Sequence, residues 1–211
     1  PNEDKYQNSN IYKFMKKHNI LSLEELSEKS RNNLEWFWES VEKDIGIVWD
    51  APYTKTLDTS NGIPWTKWFV EGKTNLYKSS VEKFTKQTPE KIAYNFISED
   101  GIETKLSYFE LNIKVSKLAN VFKSLGVKKG DVIAIYLPMI EEAIISILAG
   151  AKIGAVQTIV FSGYSSESLK TRLQDCHAKI LITSDGFHRK GKAISQKTTV
   201  DNAVIDTDIE K

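Results

Sequence analysis

Cysteine is nearly absent: Cys176 is the single thiol in 211 residues, and histidine occurs three times. One thiol excludes an intramolecular disulfide and any zinc site built on several cysteines, and it suits a reducing, cytoplasmic setting. Charge of one sign is missing as well. Lys+Arg 29 against Asp+Glu 28 leaves a net +1. A protein that works mainly on nucleic-acid backbones carries a larger positive excess, so nucleic acid is not an expected partner.

Long uninterrupted hydrophobic runs are also lacking. The longest apolar tract, Val132 to Val160, is broken by Pro138, Glu141, Glu142 and Lys152. It reads as core, and no membrane partner is expected. The first twenty residues are polar and charged, unlike a secretory signal. The chain opens on Pro1, which reads as processing or cutting.

The short phosphate-binding motifs are missing too. No G-x-x-x-x-G-K-[ST] loop and no G-x-G-x-x-G fingerprint occurs, which excludes a P-loop NTPase and a conventional dinucleotide enzyme. Gly163-Tyr164-Ser165 is followed by Ser166 and Glu167, so Ser165 reads as a helix cap and not as a nucleophile. Cys176 and His177 are neighbours at the junction into a strand, where adjacent side chains face apart, so they form no dyad. His18, His177 and His188 are scattered and make no metal site. Glu141 and Glu142 do not converge on a helix and suit its first turn. No catalytic residue is assigned.

Tryptophan is absent after residue 68, and all five (Trp36, Trp38, Trp49, Trp65, Trp68) lie in the first part of the chain. This divides it into a helical, Trp-rich leader, residues 1–88, and an α/β segment, residues 89–211. In the leader, Ser22 with Glu25 predicts a capping box, and Leu34, Phe37, Trp38, Val41 and Ile45 recur at helical spacing up to Gly46. From Asp50 to Asn75, prolines and glycines among aromatics predict an irregular, well-packed arm.

The second segment predicts a strand over Ile92–Ser98, a hairpin turn at Asp100-Gly101 and a returning strand. A second capping box, Ser107 with Glu110, opens a helix that Gly126 closes. VIAIYL, Val132 to Leu137, is a continuous apolar run of strand length, suited to a central parallel strand covered on both faces. Helix, strand, helix and strand then alternate to Thr183. The predicted fold is α/β: the leader, followed by a doubly wound, mostly parallel sheet with helices on both faces. Val200 to Lys211 fits strand or helix.

Beyond the last strand, Arg189, Lys190 and Lys192 surround Gly191. A strand-end loop of cations with a glycine is where an α/β sheet meets a phosphorylated ligand. A solvated turn is the other reading.

Two stretches carry a family resemblance. The segment from LGVKKGDVIAIYLP through VFSGYSSESLKTRLQDCHAKILITSDGFHRKGK resembles the N-terminal region of AMP-forming acetyl-CoA synthetases and related acyl-CoA synthetases. PWTKWFVEGKTN, Pro64 to Asn75, resembles the tryptophan-rich leader of the same enzymes. The resemblance implies a ligase with ATP, Mg2+ and coenzyme A: a short carboxylic acid attacks the α-phosphorus of MgATP, releasing pyrophosphate, and the thiol of coenzyme A then displaces AMP. It further implies that Arg189, Lys190, Gly191 and Lys192 bind the nucleotide end of coenzyme A, and that Gly163 lies against its adenine. Lys190 and Lys192 depart mildly from relatives, keeping the charge but not the planar fork of arginine. The family's Ser/Thr/Gly-rich loop, adenine-binding aromatic motif, hinge aspartate and catalytic lysine are not present up to Lys211. The chain is therefore expected to be an N-terminal fragment that is inactive alone. A free-standing, non-catalytic module binding coenzyme A or a protein is the alternative. A flavodoxin-like domain would leave PWTKWFVEGKTN unexplained.

Overall fold

A computed structural model describes residues 6–210. Pro1, the expected mark of processing, and Lys211 lie outside the described residues. The chain divides into two compact units, Pro1–Thr74 and Asn75–Lys211.

Among its described residues the first unit carries the helices α1 (Asn10–Lys17), α2 (Leu23–Asn32) and α3 (Leu34–Ile45). Met15, Ile20 and Leu26 form its small core, with Phe14, Trp36 and Phe37 against them. The expected cap at Ser22 is half formed. Ser22 Oγ accepts the Glu25 N–H at 3.1 Å, but the Glu25 carboxylate accepts from Leu21 N instead of Ser22 N. Helix α3 ends as predicted, on Gly46 in the left-handed conformation.

The stretch expected to be irregular is instead two antiparallel pairs. Strand β1 (Trp49–Ala51) pairs with β4 (Lys73–Thr74), and β2 (Lys55–Asp58) with β3 (Lys67–Val70). Pro52, Gly62 and Pro64 sit in the connections, so the breakers punctuate short ladders without preventing them. Trp49, Tyr53 and Phe69 pack with ring centroids 5.1–5.5 Å apart. Their hub is Glu42, whose buried carboxylate accepts from Trp49 Nε1 at 2.7 Å and from the Tyr53 hydroxyl at 3.2 Å. A Cβ on Gly72 would fall 2.6 Å from the Trp49 ring and 3.0 Å from the Phe69 carbonyl, so glycine is required for this approach. The arm is not packed throughout: Trp65 is 72% exposed.

The second unit opens with a π-helical turn, Lys78–Glu82, leading into α4 (Lys83–Gln87). The predicted hairpin follows, β5 (Ile92–Ile97) against β6 (Glu103–Ser107), with Gly101 at positive φ in its connection. Helix α5 (Tyr108–Ser124) starts on the complete capping box. Ser107 Oγ accepts the Glu110 N–H at 3.2 Å, and Ser107 N–H donates to the Glu110 carboxylate at 2.9 Å.

The parallel sheet holds three strands: β7 (Val132–Tyr136) lies between β8 (Val156–Ile159) and β9 (Ile180–Thr183). Along β7 the side chains alternate as a pleated strand requires. Ile133 and Ile135 enter one core with Leu111, Val115 and Phe122 of α5 and Ile145 and Leu148 of α6 (Glu141–Ile153). Ala134 and Tyr136 enter another with Leu169 and Leu173 of α7 (Ser166–Asp175) and Val200 and Ala203 of α8 (Lys197–Ala203). Helices thus cover both faces, and the continuous apolar run of β7 is accounted for.

Helix α8 resolves the sequence left open from Val200 as helical through Ala203. The stretch expected to be a loop after Thr183 contains a hairpin: β10 (Gly186–Arg189) paired with β11 (Lys192–Ser195).

Candidate functional site

Strands β7 and β9 are adjacent, and the helices that follow them, α6 and α8, lie on opposite faces of the sheet. Such a divergence at the carboxyl ends of parallel strands is where open α/β sheets receive ligands. Buried Gln196 braces this edge. Its Nε2 donates to the Tyr136 carbonyl at 2.6 Å and to Thr183 Oγ1 at 3.2 Å. The β10–β11 hairpin projects from here, between Thr183 and Gln196.

Four of the expected site residues make up the hairpin tip. Arg189 and Lys192 face each other as the last cross-strand pair, and Lys190 and Gly191 form the two-residue turn. Both turn residues have positive φ, 52° and 71°. That backbone matches the twist of the flanking strands and demands left-handed residues at both positions. Gly191 adopts it freely, and Lys190 adopts it at some cost. In this geometry the N–H groups of the two turn residues point outward and take no part in the ladder. A tip with outward amides and cations suits an anion.

All four residues are exposed. Among the described residues, none of the Arg189, Lys190 and Lys192 side chains enters an ion pair. The Lys190 N–H is taken: it donates to the carboxylate of Glu99, in the β5–β6 connection 91 residues earlier. No local pattern in the sequence marks Glu99.

Gly163, the fifth expected residue, lies in another loop at the same carboxyl edge, beyond β8. The Tyr164 N–H donates to the Phe161 carbonyl at 3.1 Å, closing a turn around Gly163. The buried Tyr136 hydroxyl anchors this turn, lying 3.0 Å from the Ser162 carbonyl and 2.8 Å from that of Tyr164. A Cβ on Gly163 would fall 2.6 Å from the Phe161 ring. Ser165 caps α7 as expected, accepting the Ser168 N–H at 3.3 Å.

The remaining chemistry is structural. Cys176 and His177 do not enter a strand; they end α7, with His177 at φ 49°. His177 pairs with Asp208 at 2.7 Å, and burial pushes the Cys176 thiol up, holding it protonated at neutral pH. Glu141 pairs with Lys114. Among the described residues no group of three or more His, Cys, Asp or Glu is placed to hold a metal ion. In the second unit a recess of about 360 Å³, lined by Asp131, Cys176, His177 and Lys179, shares no residue with the hairpin; in the first unit a recess runs along α2. No helix among the described residues is long and apolar enough to cross a membrane.

Comparison with known proteins adds the following. Residues 81–210 match the family described as AMP-binding enzyme, and residues 23–79 match the acetyl-coenzyme A synthetase N-terminus. The chain is 43% identical over 198 residues to the acetyl-coenzyme A synthetase of Methanothrix thermoacetophila, which covers 93% of this chain and 30% of that protein. It is 42% identical over 187 residues to acetyl-coenzyme A synthetase 2 of Saccharomyces cerevisiae, covering 88% of this chain and 27% of that one. To the propionate–CoA ligase of Escherichia coli it is 37% identical over 185 residues, 87% of this chain and 29% of the ligase. Among solved structures, acetoacetyl-CoA synthetase from Streptomyces lividans superposes with a TM-score of 0.87 at 25% identity, covering 96% of this chain and 32% of that one. The chain thus spans about 30% of the length of the curated relatives it matches.

Proposed function

Because the chain belongs to the AMP-binding enzymes, as the N-terminal part of an acyl-CoA synthetase of that family, we propose that the protein it comes from is an ATP-dependent, AMP-forming acyl-CoA ligase. The reaction joins acetate, or a similar short carboxylic acid, to coenzyme A and converts ATP to AMP and pyrophosphate. The relatives' names support a short acid without fixing which one: acetyl-CoA, propionate and acetoacetyl-CoA all appear among them. In this reading residues 1–88 are the leader and residues 89–211 the first α/β subdomain, and the protein works in the cytoplasm.

Arg189, Lys190, Gly191 and Lys192 contact the phosphorylated nucleotide end of coenzyme A, with Gly163 beside its adenine. The observation that carries this role is the hairpin tip. Cationic side chains that have no carboxylate partner among the described residues flank a turn whose outward amide already donates to an anionic oxygen. The donor set suits phosphate groups. It does not suit Mg2+, which takes oxygen ligands, chiefly from carboxylates and phosphates. No step involving ATP or Mg2+ is assigned to these residues.

Titration of the 211-residue chain with coenzyme A and with 3′-dephospho-coenzyme A tests the contact. Tighter binding of coenzyme A is expected, and equal affinity would overturn the assignment to Arg189 and Lys192. The chain alone is expected to catalyse no acetate-dependent ATP–pyrophosphate exchange, and exchange above background would contradict its status as an incomplete enzyme.

A further inference from the structure

The Glu99–Lys190 contact is unusual in which group the carboxylate selects. Glu99 is exposed and stands next to a tip bearing Arg189, Lys190 and Lys192. An ordinary surface ion pair would engage one of those side chains. Glu99 instead accepts a hydrogen bond from the main-chain N–H of Lys190, the first outward amide of the turn. The tip therefore already holds an anion in its backbone site, one supplied by a distant part of the same chain.

We propose that Glu99 is a specificity-determining residue: an internal anion that occupies the Lys190 amide and yields only to an incoming group carrying more than one negative charge. The proposal rests on the anion-binding reading of the hairpin. A singly charged carboxylate arriving from solution gains no more from the amide than Glu99 gives, and it meets the repulsion of Glu99 as well. A phosphate dianion also engages the unpaired Arg189, Lys190 and Lys192 side chains, which offsets the lost Glu99 contact. Weak anions, including the short carboxylic acid of the proposed reaction, are turned away from the tip.

Asp100, beside Glu99, is not the competitor. The Ser98 hydroxyl, which donates to its carboxylate, and then its own backbone N–H hold it below the usual aspartate range, and no hydrogen bond joins it to the hairpin among the described residues.

Glu99→Gln isolates the charge, since the amide oxygen can still accept the Lys190 N–H. The amide resonances of Lys190 and Gly191 are followed by NMR in the isotope-labelled 211-residue chain. The probes are adenosine 3′,5′-bisphosphate and, separately, acetate. Glu99→Gln is expected to bind the bisphosphate about fivefold more tightly at low salt, the effect of one unit charge at roughly 4 Å in water. The gain should shrink as salt is raised. The Lys190 amide of the variant should also respond to acetate where the native chain does not.

Unchanged or weaker bisphosphate binding in Glu99→Gln, with no acetate response, would overturn the proposal and leave Glu99 as a brace of the turn. If the bisphosphate perturbs only residues away from the hairpin in both proteins, the coenzyme A reading fails. The acetate arm then still decides whether Glu99 guards the amide: a response at Lys190 in the variant supports it, and silence overturns it.

Discussion

The Lys152 ammonium donates to the Tyr77 hydroxyl at 2.9 Å and lies 4.1 Å from the centroid of the same ring. It also donates to Ser116 Oγ at 2.7 Å, while the Tyr77 hydroxyl donates to Asn112. Tyr77 is 3% exposed, so this polar chain runs from the core of the second unit to its surface. Tyr77→Phe keeps the ring and removes the link, leaving Asn112 without its donor and Lys152 short of an acceptor. The expected loss is about 1–2 kcal/mol. Urea denaturation should show a lower midpoint with an unchanged slope, and binding at the hairpin should not alter.

Glu42 plays the equivalent part in the first unit. Glu42→Ala strands a half-buried indole N–H and a tyrosine hydroxyl, for an expected cost of about 2 kcal/mol. Every tryptophan lies in this unit, so tryptophan fluorescence during unfolding reports it selectively.

The turn at Lys190-Gly191 separates backbone from charge. Gly191→Ala has open space for its methyl group but must hold φ 71°, at a cost of about 1 kcal/mol. Lys190→Asn should relax the turn, because asparagine tolerates positive φ better than lysine. The same change should weaken bisphosphate binding by removing one cation. Hydrogen-exchange protection of the hairpin and ligand affinity are therefore expected to move in opposite directions in Lys190→Asn.

Acid should weaken the second unit through two carboxylates. The Ser107 N–H and hydroxyl hold Glu110 below the usual glutamate range, and the Lys128 N–H, assisted by Lys179, does the same for Asp131. A carboxyl whose folded pKa is depressed stabilises fully above its unfolded value and loses that contribution as pH falls through the folded one. Melting temperature should accordingly decline as pH drops through and below the ordinary carboxylate range. Glu110→Gln should start lower at neutral pH and decline less.

Much of this architecture is legible in the sequence where the signal is local. Ser107 and Glu110 sit three residues apart, Gly46 and Gly126 stop helices, and the apolar run from Val132 needs cover on both sides whatever its neighbours. The ladders of the arm between Asp50 and Asn75 are not legible, because its prolines and glycines are breakers by type while its ladders depend on partners such as Leu57 and Trp68 that only folding brings together. The reading of Cys176 and His177 as a junction into a strand fails because nothing in their own neighbourhood shows that the residue after the α7 cap turns left-handed. The basic tip is legible from its charges. Its hairpin is not, because Lys-Gly is not among the favoured two-residue turn pairs, and Glu99 is not, because it lies 91 residues away.

The central place of β7 has a kinetic side. As the chain leaves the ribosome, β7 can pair first with β8, about twenty residues later, through one crossover helix. Its other edge stays bare until Ile180–Thr183 has been made, nearly fifty residues after β7 itself. Closing so distant a parallel pair is slow, and an unpaired strand edge invites intermolecular association in the meantime. Synthesis that pauses between Ile159 and Ile180 therefore leaves the nascent chain at its stickiest, with the most apolar strand of the protein paired on one side alone.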